Sequence, residues 1–191
     1  MKKLVILASG SGSNFQSIID SIEQGEIKAD IAGLIVNNKD AGAIDRAVSH
    51  NIPYYNLSGE NPDSFRNELE NQISKWNPDL IVLAGFLRKI PDSIVEKYEK
   101  QIINIHPSLL PKFGGKGFYG KRVHKAVIDS GDSQSGCTVH YVNEHYDEGD
   151  IIAQKEVPVY HDDTAEKLAK RVLEQEHKLL PAVIKQLLNQ T

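Results

Sequence analysis

The sequence predicts a doubly wound α/β fold, a single domain over residues 1–191 with a mainly parallel sheet and helices on both faces. Three observations lead there. Strand-length apolar runs alternate with stretches of helical period. The run Leu80 to Phe86 is apolar on both faces, as a central strand between two helical layers must be. No repeat, low-complexity segment or Pro/Ser-rich linker divides the chain.

Leu4 to Ala8 reads as the first strand, and a Gly/Ser turn passes it into a helix whose Phe15, Ile18, Ile19 and Ile22 share one face. Ser13 and Gln16 have the spacing of a capping box at that helix start. Ile31 to Val36 and Pro53 to Leu57 are the next strand-like runs, followed by helices at Ala41 to Ser49 and Ser64 to Trp76. In the second half Ile102 to His106 is a strand, Arg122 to Ser130 a helix, and Gly136 to Val142 with Ile151 to Val159 a pair of strands expected to be antiparallel across the loop Asn143 to Asp150. A long helix from Thr164 to Leu188 carries Leu168, Val172, Leu179, Val183 and Leu187 on one side, with a kink expected at Pro181. Glu176 lies in the same stripe, four residues from both Val172 and Leu180. A carboxylate there is costly unless something pairs with it.

Composition narrows the function. With 22 Lys+Arg against 26 Asp+Glu the net charge is -4, and no basic stripe is present to track a nucleic-acid backbone. At 40% hydrophobic and 25% charged the chain is globular, and its apolar runs are too short for a membrane span. The segment after Met1-Lys2-Lys3 is shorter than a signal-peptide core and reads as a buried strand. One cysteine builds no disulfide framework, which points to a reducing, cytoplasmic location.

Ser9-Gly10-Ser11-Gly12-Ser13-Asn14 joins a buried strand to a helix, a place where free N–H groups and the helix dipole favour a phosphate. It is not a dinucleotide fingerprint: Phe15 stands at the third glycine position, and Asn37-Asn38 ends the second strand where a ribose-binding acid belongs. Asn104 and His106 share one face of a strand that Pro107 ends. An amide donor beside an imidazole at the carboxyl end of a strand suits carbonyl chemistry, one group holding an oxyanion and the other moving a proton. Asp147, Glu148 and Asp150 are the candidate carboxylate partners for His106. Such a partner orients the ring and raises its pKa toward or above neutrality. Cys137-x-x-His140 in a strand points its side chains to opposite faces and is a poor metal pair, Cys137 reads as a small buried hydrophobe, and His145 and His161 read as exposed.

The Ser9–Asn14 turn, Leu83-Ala84-Gly85-Phe86-Leu87-Arg88, Ile103-Asn104-Ile105-His106-Pro107-Ser108-Leu109-Leu110-Pro111, and Gly136-Cys137-Thr138-Val139-His140-Tyr141-Val142 leading to Asp147 together resemble the phosphoribosylglycinamide formyltransferase family, folate-dependent enzymes of purine biosynthesis. The resemblance covers nearly the whole chain. Its Asn-x-His-Pro-Ser-Leu-Leu-Pro stretch is shared by the wider family that uses 10-formyltetrahydrofolate, while the Gly-Ser-Asn turn and single-domain length select the acceptor. The resemblance implies a Rossmann-like formyltransferase fold. It also implies transfer of the formyl group of 10-formyltetrahydrofolate, a co-substrate, to the primary amine of 5'-phosphoribosylglycinamide without a metal, on the route to IMP.

By the same resemblance Gly12, Ser13 and Asn14 hold the phosphate and Glu176 contacts the ribonucleotide. Leu87, Arg88, Lys89 and Ile90 line the folate pocket largely through backbone groups, with Asn104 as the oxyanion donor, His106 as the general acid and Asp147 as the carboxylate that raises its pKa. The implied partners are small molecules, with no nucleic acid or membrane; oligomeric state is not legible. Gly59 to Arg66 and Gly114 to His124 depart from the pattern and carry no assigned contacts, the second reading as a mobile loop over the site. Two alternatives stand beside this reading: a formyltetrahydrofolate deformylase, which uses water and normally has an extra amino-terminal domain, and a non-enzymatic module that binds a phosphorylated metabolite. Methionyl-tRNA formyltransferase fits less well, since it normally carries a carboxyl-terminal RNA-binding domain.

Overall fold

A computed structural model describes residues 1–59 and 61–189. Strands and helices follow in the order β1 (Lys2–Ala8), α1 (Ser13–Glu23), β2 (Ala29–Val36), α2 (Ala43–Ser49), β3 (Tyr54–Asn56), α3 (Pro62–Trp76), β4 (Leu80–Leu83), α4 (Asp92–Lys97), β5 (Ile102–His106), α5 (Lys121–Ser130), β6 (Gln134–Tyr141), β7 (Ile151–Pro158) and α6 (Ala165–Asn189). The sheet has seven strands in the order β3-β2-β1-β4-β5-β6-β7. β1 to β5 are parallel, whereas β6 pairs antiparallel with both β5 and β7. The doubly wound α/β fold with a mainly parallel sheet is thus the observed one.

Strand alternation sorts β1 between two cores. Leu4, Ile6 and Ala8 face one that also takes Phe15 and Ile18 of α1, Ala43 and Ala47 of α2, Val127 of α5 and the apolar stripe of α6. Val5 and Leu7 face the other, closed by Phe65, Leu69 and Ile73 of α3 and by Ile94 and Val95 of α4. β4 is the middle strand of the sheet and feeds both cores, as its unbroken apolar run requires.

Three local features differ from expectation. β4 ends at Leu83 rather than Phe86, because Gly85 takes a positive φ of 80° and turns the chain out of the sheet. No capping box forms on α1: its N-cap is Gly12 in the left-handed region at φ 72°, with no side-chain cap bond, and Ser13 is the first helical residue. A side-chain cap needs extended backbone at the cap position. α4 was not foreseen, since a helix of six residues that buries only Ile94 and Val95 shows no period. α6 is helical on both sides of the buried Pro181.

The chain runs outward in one direction from β1 through β2 to β3, then returns to build β4 and β5 on the other side of β1. The carboxyl ends of β1 and β4 therefore flank a topological switch point, the usual place for a ligand crevice.

Candidate active site

A cleft of about 820 Å³ opens at that switch point. One end is the turn Gly10–Asn14, the middle is Asn104 to Pro107 at the end of β5, and a wall is formed by Gly115–Lys121 with His124 of α5. Gly12 owes its place to two constraints: its left-handed φ, and a neighbour so near that a Cβ would stand 2.8 Å from Ala43. The first N–H groups of α1 have no carbonyl within the helix and remain available to an anion.

Asn14 and Glu176 close this end of the cleft. Both are buried, and Asn14 Nδ2 donates to Glu176 Oε2 at 2.6 Å, tying α1 to α6. Burial pushes the Glu176 carboxyl up, and the Asn14 bond only partly opposes it. Asn14 Oδ1 is also buried and has no protein partner among the described residues. The acid in the apolar stripe of α6 is thus half of a buried polar pair whose other half keeps a spare acceptor.

At the centre, the antiparallel register sets Asn104 opposite His140, on one face of neighbouring strands. Asn104 Nδ2 lies 3.1 Å from His140 Nε2 and donates to Asp147 Oδ1 at 3.4 Å. The His140 Nδ1 is 2.8 Å from the Tyr141 carbonyl, an acceptor only, so Nδ1 donates there and Nε2 is left to accept from the amide. Asp147 is the hub: Oδ2 accepts from the Gly115 N–H at 2.9 Å and lies 3.4 Å from His106 Nδ1, while Oδ1 is 3.6 Å from His140 Nε2. Of the three carboxylates left open by the sequence, Asp147 alone meets His106; Glu148 and Asp150 are exposed. Gly149 permits that turn, because a Cβ there would fall 1.8 Å from the Tyr141 carbonyl oxygen.

His106 is 4% exposed, and its Nε2 faces the Phe113 carbonyl at 2.9 Å. Both ring nitrogens thus face acceptors, an arrangement that suits imidazolium. Burial nevertheless prevails: it pushes the His106 pKa below its ordinary value, against the upward pull of Asp147 and the Phe113 carbonyl, with His140 adding to the fall. The expectation that Asp147 would lift this histidine toward or above neutrality is corrected in the net, although the direction of the Asp147 effect is as expected. Asp147 is itself desolvated, but the nearby His140, the charge of His106 and the Gly115 N–H outweigh that and hold it below the usual carboxylate value.

The folate-side residues divide. Leu87 lines the cleft and is 58% exposed. The Arg88 guanidinium turns away, stacking 3.6 Å from the Phe65 ring centroid; Lys89 pairs with Asp92 at 2.7 Å, and Ile90 is buried in the second core. Ser9 links the two flanking loops, since its hydroxyl accepts from the Leu87 N–H at 2.9 Å and donates to Asn37 Oδ1 at 2.6 Å.

Several residues that support the cleft have no role legible in the sequence. Thr138 donates to the Ser108 carbonyl and accepts from the Leu110 N–H and from Gln154 Nε2, which also donates to the Leu110 carbonyl; together they lock the loop after β5. His124 is buried on the cleft wall, pushed to about 4 by burial and by His106. Only His140 had a readable signal, its place opposite Asn104 once β5 and β6 are paired. Cys137 is fully buried, its thiol pushed up to about 12 by burial and the nearby Glu176, while His145 and His161 are exposed.

The amide, imidazole and carboxylate gathered in one cleft suit a group-transfer enzyme of the α/β class, and the chain belongs to the formyl transferase family, whose model matches residues 2–184. Within that family its relatives include phosphoribosylglycinamide formyltransferases. The chain is 46% identical over 187 residues to the chloroplastic phosphoribosylglycinamide formyltransferase of Arabidopsis thaliana, covering 96% of this chain and 64% of that protein. It is 39% identical to that of Haemophilus influenzae, covering 97% of this chain and 86% of the relative. The crystal structure of glycinamide ribonucleotide transformylase 1 from Geobacillus kaustophilus superposes with a TM-score of 0.90 at 38% identity, covering 98% of each chain.

Proposed function

We propose that residues 1–191 form one formyltransferase domain that moves the formyl group of 10-formyltetrahydrofolate to the primary amine of 5'-phosphoribosylglycinamide. The observation that carries the reading is the convergence of Asn104, His106 and Asp147 in one cleft with the Gly10–Asn14 turn. Phosphate at the turn, held by Gly12, Ser13 and Asn14, sets the acceptor's register. Asn14 Oδ1 and Glu176 then face its polar body, and the amine reaches the centre beside Asn104. The folate enters past Leu87, with the backbone of Arg88, Lys89 and Ile90 beside its ring.

The amine nitrogen attacks the formyl carbon, and the carbonyl electron pair moves onto oxygen. Asn104 Nδ2 shifts the hydrogen of its long 3.4 Å bond to Asp147 Oδ1 onto that oxyanion, and His106 supplies a proton-bearing ring whose charge Asp147 favours. As negative charge develops on the oxygen it adds to the pull of Asp147, offsetting the burial that disfavours the charged ring. The amine proton passes to N10, the C–N10 bond breaks, and tetrahydrofolate leaves. The step needs neither ATP nor a covalent enzyme intermediate.

The substrates are small molecules handled in a reducing, cytoplasmic setting, which accords with a lone, buried Cys137. The test mixes the protein with both substrates and no ATP. Formylated ribonucleotide and tetrahydrofolate in equal amounts are expected; formate released at the same rate without the amine would show a deformylase instead.

A further inference from the structure

α2 braces the turn from behind. The Ala43 N–H donates to the Gly10 carbonyl at 3.1 Å, and Arg46 Nε donates to the Ser11 carbonyl at 2.8 Å. Arg46 Nη1 also donates to Gln16 Oε1 at 3.0 Å, so one guanidinium joins the carbonyl side of the turn to the helix that follows it. Peptide geometry makes this consequential. In a trans peptide the C=O and the next N–H point in opposite directions, so anchoring the carbonyls of Gly10 and Ser11 on α2 aims the N–H groups of Ser11 and Gly12 away from it, toward the cleft. Arg46 is not part of the cleft lining. With Ser13, Gln16 and His177 it borders a separate cavity of about 390 Å³, and its charge is felt there, adding to the burial that pushes His177 below its ordinary value.

We infer that Arg46 is a positioning residue for the anion-binding turn, aiming the Ser11–Gly12 peptide at the acceptor's phosphate monoester and placing a positive charge behind it without touching the ligand. The inference rests on the reading of the turn as the phosphate site. Since two charge-assisted bonds are lost, Arg46→Ala raises KM for the ribonucleotide on the order of tenfold, with kcat and the folate KM within about twofold of the unmodified enzyme. Arg46→Lys, which keeps the charge without the fork, recovers part of the loss and supplies the same measurement if the alanine variant does not fold.

The decisive arm uses the dephosphorylated acceptor. With it, Arg46→Ala and the unmodified enzyme should have the same kcat/KM, because the effect passes through the phosphate. An unchanged ribonucleotide KM in the variants, or an equal loss with both acceptors, overturns the role of Arg46. The phosphate reading itself fails separately, if the unmodified enzyme binds the dephosphorylated acceptor as well as the ribonucleotide.

Discussion

Asn104 and His106 take opposite strategies in the same strand. Asn104 is partly exposed and its amide is oriented by His140 Nε2 at 3.1 Å and by Asp147 Oδ1 at 3.4 Å, the longer contact being the one an oxyanion would replace. Preorganised donors of this kind carry much of the barrier lowering in acyl transfer. Asn104→Ala is therefore expected to lower kcat by roughly 100 to 1000-fold while ribonucleotide binding changes little; single-turnover formylation measures it, and near-normal turnover would remove Asn104 from the chemistry. His106 depends on a balance. Burial favours the neutral ring and Asp147 the charged one, so Asp147→Asn removes the main upward influence and moves the basic limb of the kcat profile to lower pH. Rates with both substrates saturating, measured from about pH 5 to 9 around the unperturbed histidine value near 6.5, report it. Acid should restore the protonated fraction but not the lost ring orientation. A loss equal at all pH values would reduce Asp147 to a turn-shaping residue.

At the scale of elements, α6 makes a trade between stability and binding. It buries Glu176 beside Leu179 and Leu180 in the stripe that closes the first core, and among the described residues only Asn14 offers that carboxyl a hydrogen bond. The folded pKa of Glu176 is raised by burial, so its linkage contribution is fully present below the unfolded value near 4.5 and is lost as pH rises through the folded value. Ionised Glu176 is thus a cost to the fold at neutral pH. Glu176→Gln should raise Tm at neutral pH and flatten its decline with pH above the ordinary carboxylate range, while weakening ribonucleotide binding. Thermal unfolding across pH, paired with KM, tests both halves; a lower Tm at neutral pH would show that the buried pair stabilises the fold as an ion.

The cleft is assembled by the whole molecule, from loops after β1, β4 and β5 and from α5 and α6. No local segment contains it, so a ligand that fills it stabilises the fold globally. At about 100 times its Kd, a ligand adds about 2.7 kcal/mol, which for a chain of this size raises Tm by roughly 5 to 11 °C. Ribonucleotide alone should produce such a rise, and the dephosphorylated acceptor at the same concentration much less. Equal shifts from both would place the phosphate away from the turn.

The sequence by itself determined the layer order and the chemistry-bearing types. Periodicity marked Leu4 to Ala8 and Leu80 to Phe86 as buried strands, because alternation and apolar content are local, and Asn104, His106 and the turn before Phe15 stood at strand ends that Pro and Gly punctuate. The family motif then singled out Asp147 from its neighbours before any distance was known. Tertiary structure decided what depends on two distant segments meeting. The pairing of β5 with β6 set His140 against Asn104, and the approach of α2 made Gly12 obligatory and put Arg46 behind the turn. It also decided the sign of the net His106 shift. A neighbouring carboxylate can be inferred from a motif, but desolvation is the sum over every atom that packs around the ring, and no stretch of sequence contains that sum.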